Sequence, residues 1–460
     1  MVKLLSESKG NTYLQAHYLQ LISLGLPIVV GQIGNIVLGF ADTLMIGHYG
    51  MKELAAAGFV NNIIVLIIVF ALGFSYGLTP VVGQMFGRGE IVRIGGALRG
   101  GLVSNTFLAV LLIIVASGIY VSLPYMGQPR ELLSLMKPYL LLHIVSLPFV
   151  CWVNAFKQFY DAIGNTRMPM IVIICGNLMN IIGNYMLIYG HCGMPELGLV
   201  GAGMSTLLSR IIMLLVFTVA FMSLRRYSDY RKGFFAGRTE YVLFNRLNAL
   251  GWPLALQMGM ETAAFSLTAV LVGWIGTHAL AAHQVAITIS QLFFMVYYGM
   301  AAAVAVRISH FYGHNDITSV RSTARAGFHI ILIVALVVSV PIFIFRHKLG
   351  FLFTDDTEVC SLVAFIIIPL IVYQFGDGLQ CTYSNAMRGI SQVKPLVWIA
   401  FFSYFVVSLP LSWLLGIYFG YGLVGIWSAF PVSLMCAGIL YYIMFKRYTD
   451  KTREITSGNT

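Results

Sequence analysis

Apolar residues run in long stretches along the whole chain, separated by short polar or glycine-containing segments. Read as spans, they fall near 18–46, 55–80, 95–124, 131–157, 168–190, 198–224, 246–274, 280–306, 322–346, 358–387, 395–419 and 422–446. Each is long enough to cross the hydrocarbon core of a bilayer, which takes about 20 helical residues. Leu102–Leu123 and the flanked run Ile330–Phe345 are the clearest. The pattern predicts an all-α integral membrane protein with twelve transmembrane helices. Residues Met1–His17 are polar and lack the short apolar core and small-residue cleavage site of a removable signal.

The chain repeats itself at an offset of 226 residues. Leu24-Gly25-Leu26-Pro27 matches Leu250-Gly251-Trp252-Pro253, and Leu54-Ala55-Ala56 matches Leu280-Ala281-Ala282. Gly47, Gly73, Gly87, Arg99 and Pro169 match Gly273, Gly299, Gly313, Arg325 and Pro395. Near the end the offset slips to 224, where Gly198-Leu199-Val200-Gly201 matches Gly422-Leu423-Val424-Gly425. Two six-helix bundles are expected, at 1–224 and 246–446, joined by a polar basic linker at 225–245 and followed by a tail at 447–460. An even number of spans per half gives both halves the same orientation, the parallel kind of transporter repeat. Such a plan suits alternating access, in which two bundles rock about a cavity near the midplane.

Composition supports lipid as the solvent. Of 460 residues 58% are hydrophobic and 10% charged, and the mean hydropathy is +0.84. A soluble domain carries about 25% charge, and no single core would hide this much apolar surface. The net charge of +11 raises the question of nucleic acid, and placement answers it. With the N-terminus inside, most Lys and Arg fall on one side: Arg88, Arg93, Arg99, Lys157 and Arg167, then Arg225, Arg226, Arg231, Lys232 and Arg238, then Arg321, Arg325, Arg388, Lys394, Lys446 and Arg447. This is the bias that sets membrane orientation, so both termini are expected in the cytoplasm and no nucleic-acid partner is implied. The six cysteines are scattered without a C-x-x-C and match no metal or redox spacing.

Three acids lie within the long apolar stretches: Asp42, Glu261 and Asp377. Burying a charge at the bilayer centre costs at least about 2.5–3.5 kcal/mol, so such residues usually face a cavity and act there. Each has polar company at helical spacing: Asn35 before Asp42, Gln257 before Glu261, and the stripe Tyr373, Asp377, Gln380. A further stripe, Asn177, Asn180 and Asn184, carries no charge. One reading is a hydrogen bond that braces two helices. The other is a cation or proton site, since carboxylate, amide and phenol oxygens suit a hard cation. The repeat favours the second, because Glu261 falls opposite Asn35, Asp42 opposite Thr268 and Asp377 opposite Cys151, so the scaffold is duplicated and the charges are not. Arg210, also within a span, reads as paired or snorkelling, and His143 and His283 as ordinary packing. Asp355, Asp356 and Glu358 read as a solvated outer rim. No G-x-x-x-x-G-K-[ST] occurs, which argues against ATP hydrolysis, and no nucleophile or metal cluster points to an enzyme.

Gly39-Phe40-Ala41-Asp42-Thr43-Leu44-Met45-Ile46-Gly47 resembles the first-helix motif of the multidrug and toxic compound extrusion (MATE) transporters. So do Leu54-Ala55-Ala56, Pro80-Val81-Val82-Gly83-Gln84 and the segment Asn180–Gly190. Glu261 and Tyr373-Gln374-Phe375-Gly376-Asp377 are similar to the NorM branch, while Asn385-Ala386-Met387-Arg388-Gly389 departs from that branch's usual wording. The resemblance covers all twelve spans. It implies an antiporter of two bundles forming a V, in which inward Na+ or H+ drives export of cationic, often aromatic, compounds. By position, Glu261, Asp377 and Tyr373 would form the coupling-cation site, binding Na+ if sodium drives transport. Asp42, Asn180 and Asn184 would form the first-bundle polar cluster, and Gln284 and Asp356 would meet drug near the outer mouth. No cofactor beyond the coupling ion is implied, and a functional monomer in a bacterial inner membrane is expected. The alternative is a flippase for lipid-linked precursors, which shares the two-bundle plan. Such proteins line their cavity with cations, whereas here three intramembrane acids face one Arg210.

Overall fold

The structure, a computed structural model, describes residues 2–236 and 241–458. Among the described residues it is helical throughout, with short connections and no strand. Twelve helices are long and apolar enough to cross a membrane. In chain order they are α1 (Val2–Tyr49), α2 (Met51–Gly87), α3 (Ile91–Ser122), α4 (Arg130–Ala162), α5 (Arg167–Tyr189) and α6 (Leu199–Ser223). The short linker helix α7 (Ser228–Phe235) follows. The second half holds α8 (Tyr241–Gly273), α9 (Thr277–Gly313), α10 (Ile317–Leu349), α11 (Thr357–Gly389), α12 (Lys394–Tyr418) and α13 (Gly422–Gly458). Most helices overrun the apolar runs that mark them: α2 extends to Met51 and Gly87 where hydropathy alone gives 55–80. The added turns keep the backbone hydrogen-bonded to itself beyond the apolar run. Residues 237–240 of the linker, Arg238 among them, lie outside the described residues.

A membrane helix tolerates proline where neighbours satisfy the freed carbonyl, and Pro27, Pro138, Pro148, Pro253, Pro341, Pro369 and Pro431 all sit inside helices. Two compact units result: Val30–Ala255, and Met1–Val29 together with Leu256–Thr460. The boundaries fall inside α1 and α8, two residues after the repeat-matched Pro27 and Pro253. Each unit has its own apolar core. In the first, Val60, Ile64, Leu108, Leu112, Leu140 and Leu147 pack together. In the second, Val363, Ile366, Ile367, Leu370, Phe430 and Trp427 do so. Large apolar side chains on the outward faces, such as Ile333, Val337 and Ile344 of α10, remain exposed to the lipid.

The repeated Gly-Leu-Val-Gly motif has a packing cause. A Cβ on Gly201 would stand 2.4 Å from the Leu187 carbonyl oxygen, and one on Gly425 2.6 Å from that of Leu415. Both halves therefore need glycine where the last helix of the bundle turns back against its predecessor. The predecessor in the second half, α12, differs from α5 in winding as a π-helix over Phe402–Ser408 and again over Leu414–Tyr418. Such wide turns absorb inserted residues and often re-aim side chains at functional sites.

Candidate functional site

The second-half unit assembles the predicted carboxylate pair. Asp377 of α11 is 1% exposed, and Tyr373, one turn before it, is buried as well. Glu261 of α8 is half-buried and lies within electrostatic range of Asp377. Gln380 of α11 and Tyr404, in the first π turn of α12, face the Glu261 carboxylate. One Asp377 oxygen, Oδ1, accepts from the Cys381 thiol at 3.6 Å. The other, Oδ2, has no hydrogen-bond partner among the described residues. Neither do Gln380 Oε1, the Tyr297 and Tyr404 hydroxyls, or either polar atom of Gln374. Leaving a buried polar atom unpaired costs about 1–3 kcal/mol, so this concentration of free oxygens around two acids is a feature that needs a purpose. Its donor set is carboxylate, amide and phenol oxygen, which fits a hard monovalent cation or a proton and does not fit a soft metal. Aromatic rings close the site on one side, where Tyr373 meets Trp427 and Phe430 edge-on with centroids 6.3 and 6.2 Å apart.

The first-half unit brings Asp42 together with Asn180 and Asn184. Asn184 Nδ2 donates to Asp42 Oδ1 at 2.5 Å and to Asn180 Oδ1 at 3.2 Å, and both asparagines are fully buried. With its amide turned over, Asn180 itself donates to Asp42 Oδ1 at 3.1 Å and accepts from Thr206 Oγ1 at 3.2 Å. Asn177 Nδ2 donates to Asn35 Oδ1 at 3.2 Å, so the asparagine stripe of α5 faces α1 along two turns. The two weaker candidates stand apart from these clusters. Gln284 of α9 is exposed. Asp356 caps α11, its Oδ1 accepting from the Glu358 and Val359 amides at 2.9 and 3.2 Å, with His278 3.5 Å from Oδ2.

One participant escapes sequence reasoning, and another stands out there without a role. Tyr404 lies in an apolar aromatic run, and only the π turn aims it at Glu261. Arg210 of α6 points inward: it donates to Ser146 of α4 and lies within electrostatic range of Asp42, Tyr139 and His143. The signal for it is the one cation placed deep in a span. Tyr139 in turn donates to Asn61 at 3.2 Å.

A profile of the MatE family matches residues 27–186 and 253–414, one match in each half. The fold is similar to that of solved transporters. One is a MATE transporter of Vibrio cholerae, VcmN in mutant form (TM-score 0.86, 20% identity, 96% of this chain and 98% of that one). Another is the eukaryotic MATE transporter AtDTX14 (0.84, 18%, 96% and 99%). A third is a MOP superfamily transporter from Pyrococcus furiosus (0.86, 19%, 95% and 97%), whose binding pocket is described as reversed in polarity. With both halves matched and twelve membrane helices on the same plan, the chain belongs to the MatE family and is a multi-pass membrane transporter, not an enzyme.

Proposed function

We propose that this transporter is a secondary active antiporter of the NorM-like branch that exports organic cations in exchange for Na+ or H+. The observation that carries the reading is the pairing of half-buried Glu261 with buried Asp377, among unpartnered oxygens. A monovalent cation or proton held there by Asp377, Glu261 and Tyr373 neutralises charge that an organic cation would otherwise meet, so the two compete by linkage. Moving one charge inward gains about 2.3 kcal/mol per 100 mV, or about 50-fold in concentration. Asp42, Asn180 and Asn184 respond to the cargo or the proton in the first unit, and Gln284 and Asp356 meet the drug on the outer side. The positive-inside bias places both termini in the cytoplasm, and the family likeness suggests a bacterial inner membrane with the monomer as the working unit.

The experiment is reconstitution of the full chain into vesicles, with ethidium movement followed under an imposed sodium gradient without a pH gradient, and then the reverse. Drive by sodium alone makes Na+ the ion held by the pair, and drive by pH alone makes the pair a proton carrier. Drive by neither overturns the antiporter reading. Asp377→Asn keeps the shape of the side chain and removes its charge, so it is expected to abolish gradient-driven transport with expression intact. Normal drug resistance in cells carrying that variant would sink the assignment.

A further inference from the structure

Where α10, α11 and α13 meet at their basic ends, a cavity of about 360 Å³ opens within the second-half unit. Arg321, Arg325 and Phe328 of α10, Tyr383 of α11, and Tyr442 and Lys446 of α13 line it. Arg321 is occupied, donating from Nε to Thr449 Oγ1 at 3.0 Å and pairing with Asp450. Arg325 and Lys446 have no ion-pair partner within 4 Å among the described residues and are exposed. The inner wall is aromatic: Tyr383 meets Tyr442 edge-on at 4.9 Å and Phe445 at 5.7 Å.

The internal repeat identifies the same groove in the first half, where it is filled. The positions of α3 that match Arg321 and Arg325 are Gly95 and Arg99, and the linker helix α7 lies against them. A Cβ on Gly95 would stand 1.8 Å from the Tyr230 carbonyl oxygen, and one on Gly233 1.6 Å from that of Val92. Arg99 donates to the Phe234 carbonyl at 3.0 Å, and Phe221, the match of Phe445, packs on Phe234 with centroids 5.5 Å apart. In the second half the large side chain of Arg321 replaces Gly95 and forbids that approach. The chain does not turn back there either, because α13 runs on as one helix to Gly458. A groove that one bundle closes with its own helix is thus left open in the other, with two exposed cations that make no ion pair within 4 Å among the described residues.

We propose that this groove binds an anionic phospholipid. Arg325 and Lys446 meet the phosphate, Tyr383 and Tyr442 wall it, and the acyl chains follow α13. Basic pockets between membrane helices at headgroup level are suited to such lipids, and 360 Å³ falls within the roughly 300–1,000 Å³ of small-ligand sites. Lipid is favoured over free phosphate because Tyr442, which lines the cavity, shares an exposed apolar face of α13 with Ile439 and Ile443 at helical spacing, a surface that only an acyl chain uses.

The test measures binding of dioleoyl-phosphatidylglycerol, with dioleoyl-phosphatidylcholine as the neutral control, to the full-length protein in detergent. Wild-type protein is expected to prefer the anionic lipid. At about 1 kcal/mol per interfacial cation, the double variant Arg325→Gln/Lys446→Gln should bind it about 30-fold more weakly. Arg99→Gln, whose native guanidinium already serves Phe234, should bind as the wild type does. Equal binding by wild type and double variant overturns the proposal. So does displacement of the lipid by millimolar glycerol-3-phosphate, which would make the ligand a soluble phosphate. If the double variant does not fold, the wild-type preference between the two lipids decides: no preference overturns the site.

Discussion

Gly376 precedes Asp377 and lies where α11 presses on α13, so an added methyl there probes the packing that holds the carboxylate. In Gly376→Ala the Cβ would stand 3.0 Å from the Met435 backbone nitrogen, 3.2 Å from Leu434 Cβ and 3.3 Å from the Leu434 carbonyl carbon. Two of these atoms are backbone and the third is fixed to it, so no rotamer change relieves the contact and the helices must separate by roughly a few tenths of an ångström. Overpacking of this kind costs about 1–3 kcal/mol, offset by up to about 1 kcal/mol because alanine is the better helix former. From the middle of the first range, the expected net loss is about 1–2 kcal/mol. Gly378→Ala meets a single atom, the side-chain methyl Ile331 Cγ2 at 2.8 Å, and no backbone, so it should lose less. Gly39→Ala meets nothing within 4 Å and should gain stability. Thermal unfolding of the three variants and the wild type in one detergent checks the order. A wild-type midpoint for Gly376→Ala, or greater damage from Gly39→Ala, would refute the reasoning that backbone contact between α11 and α13 sets the cost.

Lys157 and Asp161 form an ion pair at 2.8 Å with both side chains largely buried. Lys157→Met removes this charge-assisted hydrogen bond from a buried carboxylate and should cost about 1.5–3 kcal/mol by chemical or thermal unfolding. The exposed pair Lys52–Glu131, of similar length, should show no measurable loss in Lys52→Met. Trp427 Nε1 donates to His283 Nδ1 at 3.2 Å between two fully buried side chains. Trp427→Phe should therefore cost about 1–3 kcal/mol and perturb transport through the ring that packs on Tyr373, an effect read by comparing unfolding with ethidium export.

The helices were legible because the bilayer demands uniform apolar length, and such a demand writes itself plainly along a chain. The repeat was legible for a related reason: Gly201 and Gly425 are held by backbone contacts that admit no side chain. Asp42, Glu261 and Asp377 stood out because acids are costly in lipid. What stayed hidden depended on direction. Tyr404 reads as one more aromatic until the π turn of α12 rotates it onto Glu261, and Asp356 reads as a rim charge until its carboxylate is seen to cap α11. Arg210 was visible as an oddity, but its approach to Ser146 and the Asp42 cluster comes from the packing of α4 and α6. The filling of one groove by α7 and the opening of its match required both halves in three dimensions.

The polar links of the two halves do not stand in register, and this bears on what the acids are for. In the first unit the strong link between α1 and α5 runs through Asp42 to Asn184. Its repeat position, Thr268, is fully buried and turns its hydroxyl onto its own helix, donating to the Ala264 carbonyl at 2.9 Å. In the second unit the acid is Glu261, and Tyr404 of α12 faces it. Its repeat position, Asn35, is exposed, accepting from Asn177 at 3.2 Å and donating to Gln32 of its own helix at 3.3 Å. The two acids therefore sit seven residues apart in the repeat, about 10 Å along equivalent helices. A brace inherited through duplication would keep its depth, since the helices it joins are conserved in pairing across the halves. An acid that moves by two turns while its scaffold stays fixed has been placed by something other than packing, which is what a site for a mobile cation requires.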